Sequence, residues 1–193
     1  MSAQMPQVPW SELGRKDQVQ VMWVMSSLEE FAAGYEHFTR LGEKLVAVEP
    51  LMRFLSAATF HWFYMLYRAD ETVFPIVKRL GRDDVVASIE ALLAVNVGFS
   101  TVGHFISEWR NKSLVHTDFT HQRVEKALFR HFDATDQATQ IAYRTTMQAL
   151  ADQTVALLGW FMNSYPEALR EMRSGWLGAI GPLGMDKPTG QDH

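Results

Sequence analysis

Two residues suited to phosphate chemistry, Arg110 and His116, stand six positions apart in one short segment of the chain. Arg110 carries a planar, permanently charged guanidinium, and His116 carries an imidazole that titrates near neutral pH. Six residues along an uninterrupted helix correspond to a rotation of roughly 240° and a rise of about 9 Å. The two side chains can therefore converge only if the helix ends between them or if a second subunit supplies one of the pair.

The residues from Arg110 to His131, here called the basic segment, differ in charge from the rest of the chain. The segment holds five Lys or Arg against two acids, whereas the whole chain has a formal net charge of −4. It also holds three of the seven histidines. This distribution argues against a surface built for non-specific polyanion binding but fits a compact site for a phosphate-bearing partner. The alternative interpretation is a solvated helix face without a partner.

Other catalytic signatures are missing from the sequence. The chain has no cysteine, which excludes thiolate nucleophiles and cysteine-ligated zinc. It has no GxSxG, HExxH or glycine-rich phosphate loop. His104 and Glu108 are four residues apart and could support the site or hold a metal with His116 and Asp118, but such pairs are more often structural hydrogen bonds. We therefore expect no metal and no cofactor.

The elements that must position these residues are predicted to be helices throughout. Apolar residues recur at helical spacing, and no alternating run suggests a strand. We predict an all-α fold of about five to six helices, with a bundle domain over residues 1–174 and a flexible C-terminal tail over 175–193. The predicted starting points of the helices are Ser11 or Asp17, Pro50, Asp83, His121, Thr135 or Asp136, and Pro166.

The third predicted helix leads directly to Arg110. It begins near Asp83 as its cap, and its inward seam is expected to run in steps of three and four through Val85, Ile89, Leu92, Asn96, Phe99, Gly103, Ile106 and Arg110. An inward guanidinium is seldom left without a carboxylate, carbonyl or phosphate partner. The alternative is that Arg110 pairs with Glu108, Asp118 or a helix-end carbonyl and has no function.

No targeting or membrane segment is expected. Residues 1–10 lack the cationic and apolar regions of a signal peptide. The longest uncharged stretches are shorter than the roughly 20 residues that a membrane-spanning helix needs. We expect a cytoplasmic protein without a membrane partner.

The nine residues from Arg110 to Asp118, RNKSLVHTD, resemble the RNKxxAHxD signature of HEPN domains, most closely in the abortive-infection branch. The resemblance implies a metal-independent endoribonuclease that acts as a homodimer whose two motifs face one cleft. The leading hypothesis is therefore a HEPN-like endoribonuclease or RNA-binding domain of a prokaryotic defence or toxin–antitoxin system. His116 matches the catalytic histidine, Arg110 the arginine that holds the scissile phosphate, and Asn111 the polar residue that positions the backbone or the histidine. The RNA-binding residues expected around them are Lys112, Asp118, His121 and Arg123.

The segment departs from the HEPN pattern at two positions, and a second class of function is also compatible with the sequence. Val115 replaces the usual alanine before the histidine. Asp118 replaces the tyrosine that a nucleotidyltransferase antitoxin modifies in some relatives, so regulation by that route is not expected even if an antitoxin partner exists. The alternative function is a non-enzymatic, all-α dimeric interaction protein, in which the basic segment docks an acidic protein or nothing.

Overall fold

The structure, a computed structural model, describes residues 8–42, 59, 61–68, 73–110 and 136–179, with side chains at all of these except 37–42, 109–110 and 176–179. Within these ranges the chain forms helices and no strand, which confirms the predicted all-α fold. After a 3-10 turn at Trp10–Glu12, the helices are α1 (Arg15–Gly42), α2 (61–67), α3 (Val73–Arg79), α4 (Asp83–Leu93), α5 (Val102–Arg110), α6 (Gln137–Ser164) and α7 (Pro166–Ala179). None of the described helices has the length and apolarity needed to cross a membrane.

The two longest helices, α1 and α6, pack against each other along the core. Apolar residues at helical spacing form the buried face of α1, namely Val21, Val24, Met25, Leu28 and Phe31. Further along α1, the Tyr35 hydroxyl donates a 2.8 Å hydrogen bond to Oε1 of Gln148 in the first half of α6. At the other end, Arg15 pairs with Glu171 in α7, which directly follows α6. These contacts make α1 and α6 antiparallel.

An aromatic cluster from α2 fills the centre of the bundle. Phe63 packs on Phe31 with a ring-centroid distance of 5.0 Å, and Tyr67 lies between Phe63 and Phe74 at 6.2 and 5.8 Å. The Tyr67 hydroxyl shares a hydrogen bond with Thr154 of α6. Burial raises the pKa of Tyr67 far above its usual range. Helix α2 is thus held by core packing and by a buried polar contact.

The start of α4 is built on a buried arginine instead of the predicted aspartate cap. Gly81 adopts a φ of 79°, and Arg82 occupies the cap position, so Asp83 is the first helical residue and the predicted Asp83 cap is wrong. The Arg82 guanidinium, 5.2 Å from the ring centroid of Trp160, binds both carboxylate oxygens of Asp84 at 2.8 and 2.9 Å. The buried guanidinium is thus satisfied by an indole face and by a carboxylate in the first turn of α4, and the cap residue makes no side-chain cap hydrogen bond.

The starts of the last two helices lie where the sequence predicts them. The side chain of Asp136 accepts hydrogen bonds from the backbone N–H groups of Ala138 and Thr139, at 3.3 and 2.9 Å. These bonds, with one from the Thr139 hydroxyl, lower the pKa of Asp136. Helix α7 begins at Pro166 and includes residues to Ala179, past the predicted domain boundary at 174. The rest of the predicted tail lies outside the described residues.

The single helix predicted from Asp83 to Arg110 is wrong. Helix α4 ends at Leu93, and a loop joins it to α5. Gly98 takes a φ of 94° in this loop, and the backbone N–H of Val97 donates to the carbonyl of Ser100 at 2.8 Å. Because a positive φ favours glycine, Gly98 permits a reversal that the apolar periodicity does not reveal. Phe99, expected on the inward seam, is instead 73% exposed.

Candidate nucleic-acid site

Helix α5 carries the first residue of the RNKSLVHTD segment, so its placement sets the origin of the candidate site. Thr101, the residue before the first residue of α5, caps the helix. Its hydroxyl oxygen accepts a 3.3 Å hydrogen bond from the backbone N–H of His104. Thr101 also forms an isolated antiparallel bridge with Asn96 across the loop. The start of α5 is therefore fixed by both a side-chain cap and backbone pairing.

The buried face of α5 docks on both α4 and α6. Val102, Phe105 and Ile106 are buried, and the Phe105 ring meets Tyr143 of α6 edge to face at a centroid distance of 5.7 Å. Gly103 packs so closely on α4 that a Cβ there would lie 3.2 Å from the carbonyl oxygen of Leu93. Burial raises the pKa of Tyr143 far above its usual range. These contacts place the buried face of α5 against both neighbouring helices.

The register of α5 alone predicts which way Arg110 faces, although the seam predicted from Val85 is interrupted between α4 and α5. Buried positions 103 and 106 lead to position 110 in steps of three and four, which keeps position 110 on the same helical face. The side chain of Arg110 lies outside the described side chains. Its inward orientation stays a prediction, now with a register that begins at Gly103 instead of Val85.

The remaining predicted site residues lie outside the described part of the chain. They are Asn111, Lys112, His116, Asp118, His121 and Arg123. Their convergence with Arg110, their roles and the predicted helix at 121–131 therefore stay predictions. The structure describes α5, the helix that ends at Arg110, where this segment begins.

The pair His104 and Glu108 lies on α5, with His104 exposed and Glu108 half-buried. Both side chains interact with other groups of the protein. Among the described residues, no group of three His, Asp or Glu is arranged to hold a metal ion. The suggested metal site with His116 and Asp118 includes residues that are not described.

Arg68, which the sequence analysis did not single out, lies against α5. Its Nε donates to the hydroxyl oxygen of Ser107 at 3.3 Å, and the Ser107 hydroxyl donates to the carbonyl of Gly103 at 3.0 Å. Arg68 is exposed. Because Arg68 and Ser107 are 39 positions apart, no local spacing in the sequence indicates this contact. Arg68 is thus a basic residue placed beside the start of the candidate site by the tertiary fold.

A scan against models of protein families, a search of curated proteins and a search of solved structures each found no match to this chain. The class established by the fold is an all-α helical protein. The likeness to HEPN domains rests on the segment Arg110–Asp118.

Proposed function

We propose that this protein is a HEPN-like, metal-independent endoribonuclease of a prokaryotic defence or toxin system, acting in the cytoplasm as a homodimer. The observation that carries the proposal is the RNKSLVHTD segment, which begins on a helix clamped between α4 and α6. A catalytic group must be held to within a fraction of an ångström of its productive position. The packing of α5 on α4 and α6 supports the proposal because it fixes where the helix that ends at Arg110 lies in the fold.

The proposed reaction is attack of a ribose 2′-oxygen on the adjacent phosphorus. A bond forms between the 2′-oxygen and phosphorus, and the bond from phosphorus to the 5′-oxygen of the next nucleotide breaks. His116 accepts the 2′-hydroxyl proton and returns a proton to the departing 5′-oxygen. Arg110 holds the non-bridging phosphoryl oxygens and stabilises their developing charge, while Asn111 positions the backbone or the histidine.

The spacing of the two catalytic residues is compatible with the proposed dimer. On one continuous helix Arg110 and His116 face different sides, so a second subunit offers one route by which an arginine and a histidine meet in one cleft. Lys112, Asp118, His121 and Arg123 would then line the RNA path on either side. An antitoxin partner, if the system has one, would act by a route other than modification of a tyrosine at position 118.

The proposal is tested by incubating total RNA with the purified protein in the presence of EDTA. Wild type is expected to cleave, and His116→Ala and Arg110→Gln are expected to lose nearly all activity, because each removes a group needed in the transition state. His131→Ala is the matched control, since His131 lies in the basic segment but outside the motif. Equal cleavage by wild type and His116→Ala, or no cleavage by wild type, contradicts the catalytic proposal.

A second candidate is the non-enzymatic interaction protein, and one observation favours it. Val19 and Trp23, one turn apart on the outer side of α1, are 49% and 47% exposed. The two side chains supply exposed apolar area on one side of α1 that a partner protein would cover. RNA that is neither bound nor cut by the wild-type protein would favour this candidate.

A further inference from the structure

We propose that the turn between α4 and α5 is a contact surface at which two copies of this chain meet, with Phe99 as its central side chain. The surface, here called the turn patch, consists of exposed residues of the described segment 91–99, which are Ala91, Ala94, Asn96, Gly98 and Phe99. The inference rests on one part of the proposed function, the homodimer, and does not depend on RNA cleavage.

The first support is that Phe99 presents its ring to solvent between buried neighbours. It is 73% exposed, more than any other large apolar side chain in the described part of the chain, whereas Val97 and Val102 are fully buried. A phenylalanine side chain buries about 150–250 Å² when it is enclosed by protein. Most of that area stays in water in the single chain, so a second copy can cover it.

The second support is that the backbone of the turn is ordered before any partner binds. The hydrogen bond from Val97 to Ser100 closes the reversal at Gly98. A second backbone hydrogen bond, from the N–H of Val102 to the carbonyl of Val95, spans 2.9 Å. Because these bonds already fix the turn, covering Phe99 does not carry the entropic cost of ordering a loop.

The third support is that the turn patch carries no charge. Residues 91–107 include no Asp, Glu, Lys or Arg, and Glu90, just before the patch, pairs with Lys78 at 3.8 Å. In a dimer with two-fold symmetry a residue near the axis meets its own copy, so a charged residue there would meet a like charge. An uncharged patch around an aromatic side chain avoids this repulsion and has the composition of an interface core. These properties favour a second copy of this chain as the occupant.

The size of the turn patch predicts a dimer that dissociates on dilution. One phenylalanine and a few small residues bury less than the roughly 800 Å² per partner of a standard protein interface. The contact lies at the start of α5, whereas Arg110 lies at its end, nine residues or about 13 Å along the helix. The patch is therefore a separate surface from the RNKSLVHTD segment.

Sedimentation equilibrium measures the dissociation constant of the dimer for wild type, Phe99→Ser and Val155→Ser. Val155 is the matched control because it is also apolar and 45% exposed, but it lies on α6. We expect Phe99→Ser to weaken dimerisation about 30-fold, as for truncation of a side chain that dominates an interface. Val155→Ser should leave the dissociation constant unchanged. Thermal melting is followed for every variant.

A single introduced cysteine identifies the occupant of the turn patch, because the chain has no cysteine of its own. Asn96→Cys is treated with a short bismaleimide, which joins two thiols that lie close together. Covalent dimers are expected for Asn96→Cys and should be lost when Phe99→Ser is added, while Val155→Cys should stay monomeric on a denaturing gel. No covalent dimer of Asn96→Cys at concentrations where the protein is dimeric would overturn the contact.

The outcomes separate this inference from the proposed function. A wild-type dimer whose dissociation constant is unchanged in Phe99→Ser overturns the role of the turn patch alone. A dimer weakened by Phe99→Ser in a protein that does not cleave RNA supports the contact and overturns the catalytic part of the proposed function. A wild-type protein that stays monomeric overturns both the contact and the homodimer and leaves a different protein as the partner of the patch. A lowered melting temperature of Phe99→Ser shows that another part of the same chain covers Phe99, and this also overturns the contact.

Discussion

At the scale of single residues, the contact between Tyr67 and Thr154 shows how the bundle satisfies polar groups in its core. Thr154 is fully buried, and its hydroxyl lies 2.6 Å from the carbonyl oxygen of Leu150, to which it donates. Its oxygen is then left to accept from the Tyr67 hydroxyl, which has only 4% of its surface exposed. Removing the Thr154 hydroxyl leaves the buried Tyr67 hydroxyl without an acceptor. This lowers the free energy of unfolding more than removing the Tyr67 hydroxyl does.

We therefore predict that Thr154→Val lowers the free energy of unfolding by about 2 kcal/mol and Tyr67→Phe by about 1 kcal/mol. The double variant should be less destabilised than the sum of the two, because no unpaired hydroxyl remains. Urea denaturation of the four proteins measures the difference. Strict additivity would show that the two hydroxyls do not interact.

The pair of Arg82 and Asp84 predicts a pH dependence. The hydrogen bond from Arg82 is the main cause that lowers the pKa of Asp84 in the folded protein. A carboxylate with a lowered folded pKa contributes stability above its unfolded pKa and loses that contribution as the pH falls through the folded pKa.

Asp84→Asn should therefore lower the free energy of unfolding at pH 7 by about 1 kcal/mol, a small figure because 59% of the Asp84 side chain is exposed. The difference from wild type should begin to shrink near the ordinary carboxylate pKa of about 4 and should be lost as the pH falls through the lowered pKa of Asp84 in the folded protein. Asp83→Asn is the matched control, since Asp83 shares the first turn of α4. A pH-independent difference for Asp84→Asn would contradict the ion-pair account.

Residue-level prediction from sequence succeeded where the cause is local. The sequence predicts that Thr135 or Asp136 starts α6, because short polar side chains precede a helical stripe, and it is the Asp136 carboxylate that accepts from two backbone N–H groups. Arg68 could not be predicted, since its partner Ser107 is distant in the chain and only the tertiary fold brings them together. The burial of Arg82 could not be predicted either, because an arginine stacked on Trp160 leaves no periodic pattern in the sequence.

At the scale of elements, the break between α4 and α5 is the main departure from the predicted fold. Apolar residues continue at helical spacing across residues 94–101, but Gly98 reverses the chain there. The packing of Gly103 on Leu93 then brings α5 close to α4. Periodicity shows which residues are apolar at helical intervals, but a turn residue inside the run decides whether one helix or two result.

Glycine-to-alanine variants test this close approach of α4 and α5. Gly103→Ala should lower the free energy of unfolding by about 1–3 kcal/mol, because the new Cβ lies within 3.3 Å of Leu93 atoms that belong to another helix. Gly34→Ala and Gly159→Ala should instead raise it by about 0.5–1 kcal/mol, since both sites are helical and have no atom within 4 Å of the new Cβ. Thermal or urea denaturation gives the sign. Stabilisation by Gly103→Ala would contradict the close contact.

At the scale of the whole molecule, the all-α class and the apolar stripes of α1 and α6 could be predicted because they depend on amphipathic periodicity. The antiparallel pairing of α1 with α6 and the aromatic core around Phe63 come from long-range packing. Of the candidate site, the sequence indicates the motif, and the structure describes the helix α5 on which it begins. The second subunit of the dimer belongs to the proposed function and is not part of the described structure.

The proposed dimer predicts a sedimentation mass of about twice the 22.0 kDa of one chain at concentrations where the protein cleaves RNA. Analytical ultracentrifugation measures this mass, and dilution should reduce specific activity as the dimer dissociates. His131→Ala should sediment as wild type does. A strictly monomeric protein with full activity would contradict a site shared between subunits.

The most direct test of the account uses a defined single-stranded RNA whose cleavage site has been mapped. Wild type in EDTA should leave a 2′,3′-cyclic phosphate on the 5′ product, and replacing the ribose before the cut with 2′-deoxyribose should abolish cleavage there. His116→Ala should leave the all-ribose RNA intact. Cleavage of the 2′-deoxy substrate at the same position, or cleavage that survives His116→Ala, would contradict a histidine-dependent attack by the 2′-hydroxyl.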